Sequence, residues 1–114
     1  MVIRKKDVVL STQNNVDGAI KMYNYKLNTF EGQNKKVSMF SHIKLNPNEQ
    51  VDFHIHNNEF ESYYILSGKG LYKDNETLFE LEAGDVTYTP SGSGHGIKNI
   101  GETPLEFIAL IVKD

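Results

Sequence analysis

Along most of this chain apolar and polar residues alternate with a period of two, in short runs broken by turn residues. The pattern predicts strands over Ile20–Leu27, Val37–Leu45, Val51–His56, Ser62–Leu66, Gly70–Lys73, Thr77–Leu81, Asp85–Thr89, Gly94–Ile100 and Leu105–Val112. Between them stand Asn46-Pro47-Asn48, His56-Asn57-Asn58, Ser67-Gly68, Asp74-Asn75, Ala83-Gly84, Pro90-Ser91-Gly92 and Gly101-Glu102, residue types that end strands or tolerate tight turns. No window keeps apolar residues at helical spacing. Many short strands predict an all-β sandwich or barrel. Residues 1–19 read as an N-terminal strand or arm ahead of a barrel over 20–114, the whole forming a single domain.

Strand parity sorts the side chains. Val51, Phe53 and Ile55 are expected on one face, with Asp52, His54 and His56 on the other. The turn 57–60 then reverses the chain, so that Glu61 opens a neighbouring antiparallel strand opposite the histidine pair. Glu61, Tyr63 and Ile65 share one face of that strand. His95 enters after a glycine-rich bend at the head of its own strand, with Ile97 and Asn99 on its face. An apolar face behind the histidines needs cover, either from the N-terminal strands or from a second subunit. A homodimer is the expectation.

Composition narrows the chemistry. The chain has no cysteine, so a metal site must use imidazole and carboxylate. His54, His56, Glu61 and His95 are the candidate ligands, a set suited to one divalent transition metal: Mn, Fe, Co, Ni, Cu or Zn. Tyr63, Ile65 and Ile97 are candidate pocket-lining residues. Glu59, in the turn, is the rival of Glu61. His42 reads as a solvated strand residue, with the barrel mouth as its alternative place. The net charge of −3 comes from scattered groups without a basic stripe, which argues against nucleic acid. No apolar run reaches the ~18 residues of a membrane span. The opening MVIRKKDVVL has charges where a signal peptide needs apolar residues, so a cytoplasmic protein is expected. Ser91–Gly96 lacks the Lys-Ser/Thr ending of a phosphate loop and reads as a bend.

Two segments carry a family resemblance. His54-Ile55-His56, four residues, Glu61, six residues and Gly68 resemble the first cupin motif. Gly84, five residues, Pro90-Ser91-Gly92, two residues, His95, three residues and Asn99 resemble the second. Fifteen residues separate Gly68 from Gly84, a spacing similar to that of compact cupins. One departure stands out: Asn48 takes the place of a glycine after the proline of the preceding turn, and Asn tolerates the left-handed backbone such a turn needs. The resemblance implies a double-stranded β-helix (jelly-roll) barrel and the same four ligands, with ion positions left open to water or substrate.

Cupin barrels host many activities, so the fold alone does not choose one. Oxygenase-type chemistry on a small organic molecule is the leading expectation, because few acid–base groups accompany the ligands. A non-redox isomerase, epimerase or lyase is the alternative, and a non-catalytic small-ligand-binding domain the third reading. No catalytic residue beyond the metal set is assigned.

Overall fold

The computed structural model describes all 114 residues. Its strands are β1 (Val9–Asn14), β2 (Ile20–Lys26), β3 (Val37–Leu45), β4 (Gln50–Ile55), β5 (Glu59–Ser67), β6 (Gly70–Asp74), β7 (Thr77–Leu81), β8 (Gly94–Asn99) and β9 (Leu105–Lys113). A 3-10 turn at Lys5–Asp7 is the only helical element, and no helix is long and apolar enough to cross a membrane. Strands β1-β2-β3-β9-β5 form one antiparallel sheet and β4-β8-β6-β7 a second. The two antiparallel sheets make up the all-β architecture that the alternation predicts, arranged as the jelly roll that the cupin resemblance implies.

The alternation places the core between the layers. Ile43, Leu45, Leu105 and Phe107 from the larger sheet meet Tyr72 and Ile97 from the smaller one. Burying side chains of this size contributes roughly 1.5–3 kcal/mol each. Two turns are pinned by backbone geometry. Asn48 adopts φ 68°, the left-handed conformation expected of it. Gly68, at φ 86°, runs so close to the 104–105 backbone that a Cβ there would stand 2.6 Å from the Pro104 carbonyl oxygen. Only glycine fits that approach.

The structure corrects the sequence expectation in three places. First, β4 and β5 are not a hairpin: β4 pairs with β8 and β5 with β9, so the turn after His56 carries the chain across the barrel. Glu61 therefore faces the histidines from the opposite sheet. Second, the ladder between β4 and β8 shifts register between Val51 and His54, because Val51 pairs with Ile97 and His54 with His95. Residues 52 and 53 together oppose Gly96, a β-bulge. The extra residue sends Val51 inward with the histidines, although parity had placed it beside Phe53 and Ile55. Third, Asp85–Thr89 is not a strand. It bonds to β5 through Thr87 N–H to Tyr63 O and Ile65 N–H to Asp85 O (both 2.9 Å), yet makes only isolated bridges. The Tyr63 N–H goes to the Thr87 hydroxyl at 3.1 Å, which interrupts the backbone ladder.

The N-terminal strands also settle differently from one expectation. β1 and β2 extend the edge of the larger sheet and do not cover Phe53 or Ile55, which are 46% and 58% exposed. The hairpin they form reaches the turn before β4 through Asn15–Glu49 (2.9 Å) and β4 itself through Lys21–Asp52 (3.6 Å).

Candidate metal centre

Each candidate ligand arrives on a differently fixed piece of backbone. His54 sits in the β4 ladder directly opposite His95 of β8. His56 lies one residue beyond β4, where its N–H donates to Ser93 O (3.1 Å) and its carbonyl accepts from Gly92 N–H (2.7 Å). Those bonds continue the β4–β8 pairing far enough to hold His56 beside His95. Gly96 permits the close fit, since a Cβ there would meet the bulge backbone at 3.0 Å. Glu61 projects from β5 across the barrel and is buried.

The four side chains converge on one point. The Nε2 atoms are 3.0 Å apart for His54–His56, 3.1 Å for His56–His95 and 3.2 Å for His54–His95. Glu61 Oε1 lies 2.6 Å from His95 Nε2, 2.8 Å from His56 Nε2 and 3.8 Å from His54 Nε2. One ligand atom from each residue falls within 4.8 Å of all the others.

The outward nitrogens decide what this cluster accepts. His54 Nδ1–H donates to the Asp52 carbonyl oxygen at 2.7 Å, and His56 Nδ1–H donates to the Glu59 carboxylate at 2.8 Å. Neither partner has a proton to give, so in the neutral rings both Nε2 atoms carry lone pairs. His95 Nδ1 lies within hydrogen-bond distance of the Tyr72 hydroxyl (2.8 Å) and the Thr89 hydroxyl (3.0 Å). Lone pairs facing each other at 3.0 Å repel unless a cation lies between them. A shared proton relieves one such pair; a dication relieves all three rings and the carboxylate together. Spacing agrees. Imidazole nitrogens ~2.1 Å from one ion and at right angles to each other stand ~3.0 Å apart, against ~3.4 Å for tetrahedral angles. The residues fit a divalent metal and leave room for further ligands.

The cluster opens on a cavity of about 170 Å³. Met22, Met39, Ile43, Phe107 and Ile111 form much of its wall, Val51 faces them, and Gln13 from β1 also lines it. No lysine or arginine lines it. Pockets for drug-sized molecules run to ~300–1,000 Å³, so only a compact ligand fits. Tyr63 lies on the wall and stacks on His95, ring centroids 4.9 Å apart. Burial first, and then the negative charge of Glu61, hold its hydroxyl well above the ordinary tyrosine pKa. Burial also raises Tyr72, against the hydrogen bonds from the Thr87 and Thr89 hydroxyls.

The remaining candidates fall elsewhere. Ile65 and Ile97 are packed in the core and lie off the cavity wall. His42 points to the outer face, where it pairs with Glu106 at 3.0 Å, away from the mouth. Asn99 is fully buried and donates to Leu45 O and Thr103 O, so it ties turns together. The partners behind the imidazoles (the Asp52 carbonyl, Glu59, Tyr72 and Thr89) escape sequence reasoning. Of these, the sequence singles out only Glu59, as the rival of Glu61.

Comparison with known proteins gives a consistent picture. Residues 41–111 match the family model described as Cupin domain. An oxalate-binding protein of Thermotoga maritima is 38% identical over 98% of this chain and 93% of its own length. The crystal structure of a predicted oxalate decarboxylase from the same organism superimposes with a TM-score of 0.89 at 37% identity, covering 100% of both chains. The oxalate decarboxylase of Bacillus subtilis is 32% identical over 63% of this chain, but the match spans only 20% of that longer protein.

Proposed function

The chain belongs to the cupin family, and on that footing we propose that it binds a small carboxylate of the oxalate class at one divalent transition-metal ion held by His54, His56, Glu61 and His95. The observation that carries this reading is the pair of locked tautomers, which turns the Nε2 lone pairs of His54 and His56 toward each other at 3.0 Å. When bound, the ion supplies the positive charge that holds a carboxylate oxygen. The chain itself supplies selection. Its wall has no lysine or arginine, so nothing else in the cavity neutralises an anion, and its volume admits only a compact acid. The name of the Thermotoga relative supports oxalate as the first ligand to try. Nitrogens 3.0 to 3.2 Å apart suit the bond lengths of Mn, Fe, Co, Ni, Cu or Zn. Calorimetry of oxalate against metal-loaded and chelator-treated protein tests the reading: binding in the first and none in the second is expected, while equal heats contradict it.

Turnover is a second reading, and one feature favours oxygenase-type chemistry over proton transfer. Outside the ligand set the wall offers Tyr63 as its only ionisable group, and that group holds its proton well above the ordinary tyrosine range. An isomerase or lyase needs an acid or base that exchanges protons near neutral pH. For assembly, the exposure of Phe53 and Ile55 supports a homodimer.

A further inference from the structure

We infer that Glu59 is a positioning residue of the metal centre, one that strengthens metal binding through His56 and, by its charge, weakens binding of anions to the loaded site. The second half rests on the small-carboxylate reading; the first does not.

Glu59 and Glu61 lie two apart on β5, so one strand directs two carboxylates to the same side. The His56 imidazole lies between them, with Glu59 Oε1 2.8 Å from Nδ1 and Glu61 Oε1 2.8 Å from Nε2. Its two companions differ. His54 Nδ1 has a backbone carbonyl behind it and His95 Nδ1 two hydroxyls. Of the three outward Nδ1 atoms, only that of His56 meets a carboxylate. A carboxylate that accepts from one imidazole nitrogen makes the other a stronger donor and fixes the ring's direction, and loss of such a partner costs ~10–100-fold in metal affinity.

Its charge has a separate consequence. A dication with Glu61 alone carries a surplus of one positive charge, and ionised Glu59 cancels it. The Glu59 side chain is only 25% exposed, so solvent screens it incompletely. With no lysine or arginine on the cavity wall, an arriving carboxylate meets a centre that is neutral overall. The bond is not what holds the turn: Asn58 N–H donates to Ser91 Oγ at 2.8 Å, and Asp114 N–H to Asn58 O at 2.9 Å.

The test compares wild type, Glu59→Gln and Glu59→Ala. Glutamine keeps an acceptor for His56 Nδ1–H but removes the charge. Co²⁺ affinity, measured by chelator competition and followed by visible absorption, is expected to fall about tenfold in E59Q and further in E59A, while the apo melting temperature of E59Q stays at the wild-type value. Co²⁺-loaded E59Q is expected to bind oxalate several-fold more tightly than the loaded wild type. Unchanged Co²⁺ affinity in both variants overturns the positioning role, as does a loss matched by collapse of the apo fold. Equal or weaker oxalate binding by loaded E59Q overturns the role of the charge. Failure of every loaded protein to bind oxalate overturns the carboxylate reading alone, because the Co²⁺ affinities still decide the role of Glu59.

Discussion

His54 and His95 are direct partners across β4 and β8, and their Nε2 atoms stand 3.2 Å apart. The bulge at residues 52–53 puts Val51 and His54 of β4 on the same side, and His56, one residue beyond the strand, joins them at one cavity. The two rings differ in surroundings: the His95 side chain is fully buried, whereas that of His54 is 38% exposed. In apo protein His54→Ala is expected to leave the melting temperature nearly unchanged. His95→Ala, which empties closed volume, is expected to lower stability by about 2 kcal/mol. Chemical denaturation of both variants without metal checks the contrast.

Two glycines of the family motifs separate steric from conformational demand. Gly84 has φ 92° with nothing within 4 Å of a built Cβ, whereas Gly68 combines φ 86° with a 2.6 Å clash against backbone. Gly84→Ala is expected to cost about 1 kcal/mol, from the left-handed conformation alone. Gly68→Ala is expected to cost at least about 2 kcal/mol more, because the Pro104–Leu105 segment must move. Urea unfolding of the pair measures the difference, and equal midpoints contradict it.

Alkaline pH tests the burial of Tyr63. Its folded pKa lies well above the value for an exposed tyrosine. The folded state therefore keeps a proton that the unfolded chain loses once pH passes ~10, and stability falls as pH rises through that window. Apo Tyr63→Phe is expected to show a shallower loss between about pH 10 and 11 than wild type. Parallel slopes of unfolding free energy against pH contradict the assignment.

Assembly is tested at Ile55, which is more exposed than Phe53 and has no aromatic or cation contact of its own; Phe53 has Lys73 Nζ 5.0 Å from its ring centroid. Ile55→Lys is expected to convert a sedimenting dimer to monomer while leaving the fold intact. A wild type that sediments as monomer removes the basis for pairing through this face.

How much was legible in the chain depends on the range of the interaction involved. Most strand positions and the four candidate ligands follow from local alternation and turn residues, and the cupin resemblance implies the same four; Asp85–Thr89 is the predicted strand that does not form. The bulge does not follow from alternation, because its extra residue is defined only against Gly96 on a strand distant in sequence. The turn 57–58 reads locally as a hairpin, yet β8 and β9, both later in sequence, claim the edges of β4 and β5. Ile65 and Ile97 share faces with Glu61 and His95, but residues further along a strand lie deeper in the barrel, which parity alone does not reveal. Tyr72 and Thr89 were invisible for the same reason: they meet His95 only through the β6–β8 pairing and the β5 contacts of residues 85–89.

The most direct test of the account is elemental analysis of protein loaded with Mn²⁺, Fe²⁺ or Co²⁺ and then desalted, for wild type beside His54→Ala and His95→Ala. One ion per chain in wild type and almost none in either variant is the predicted result. Equal metal content in all three proteins, or none in the wild type, would contradict convergence of the three imidazoles and Glu61 on a bound ion.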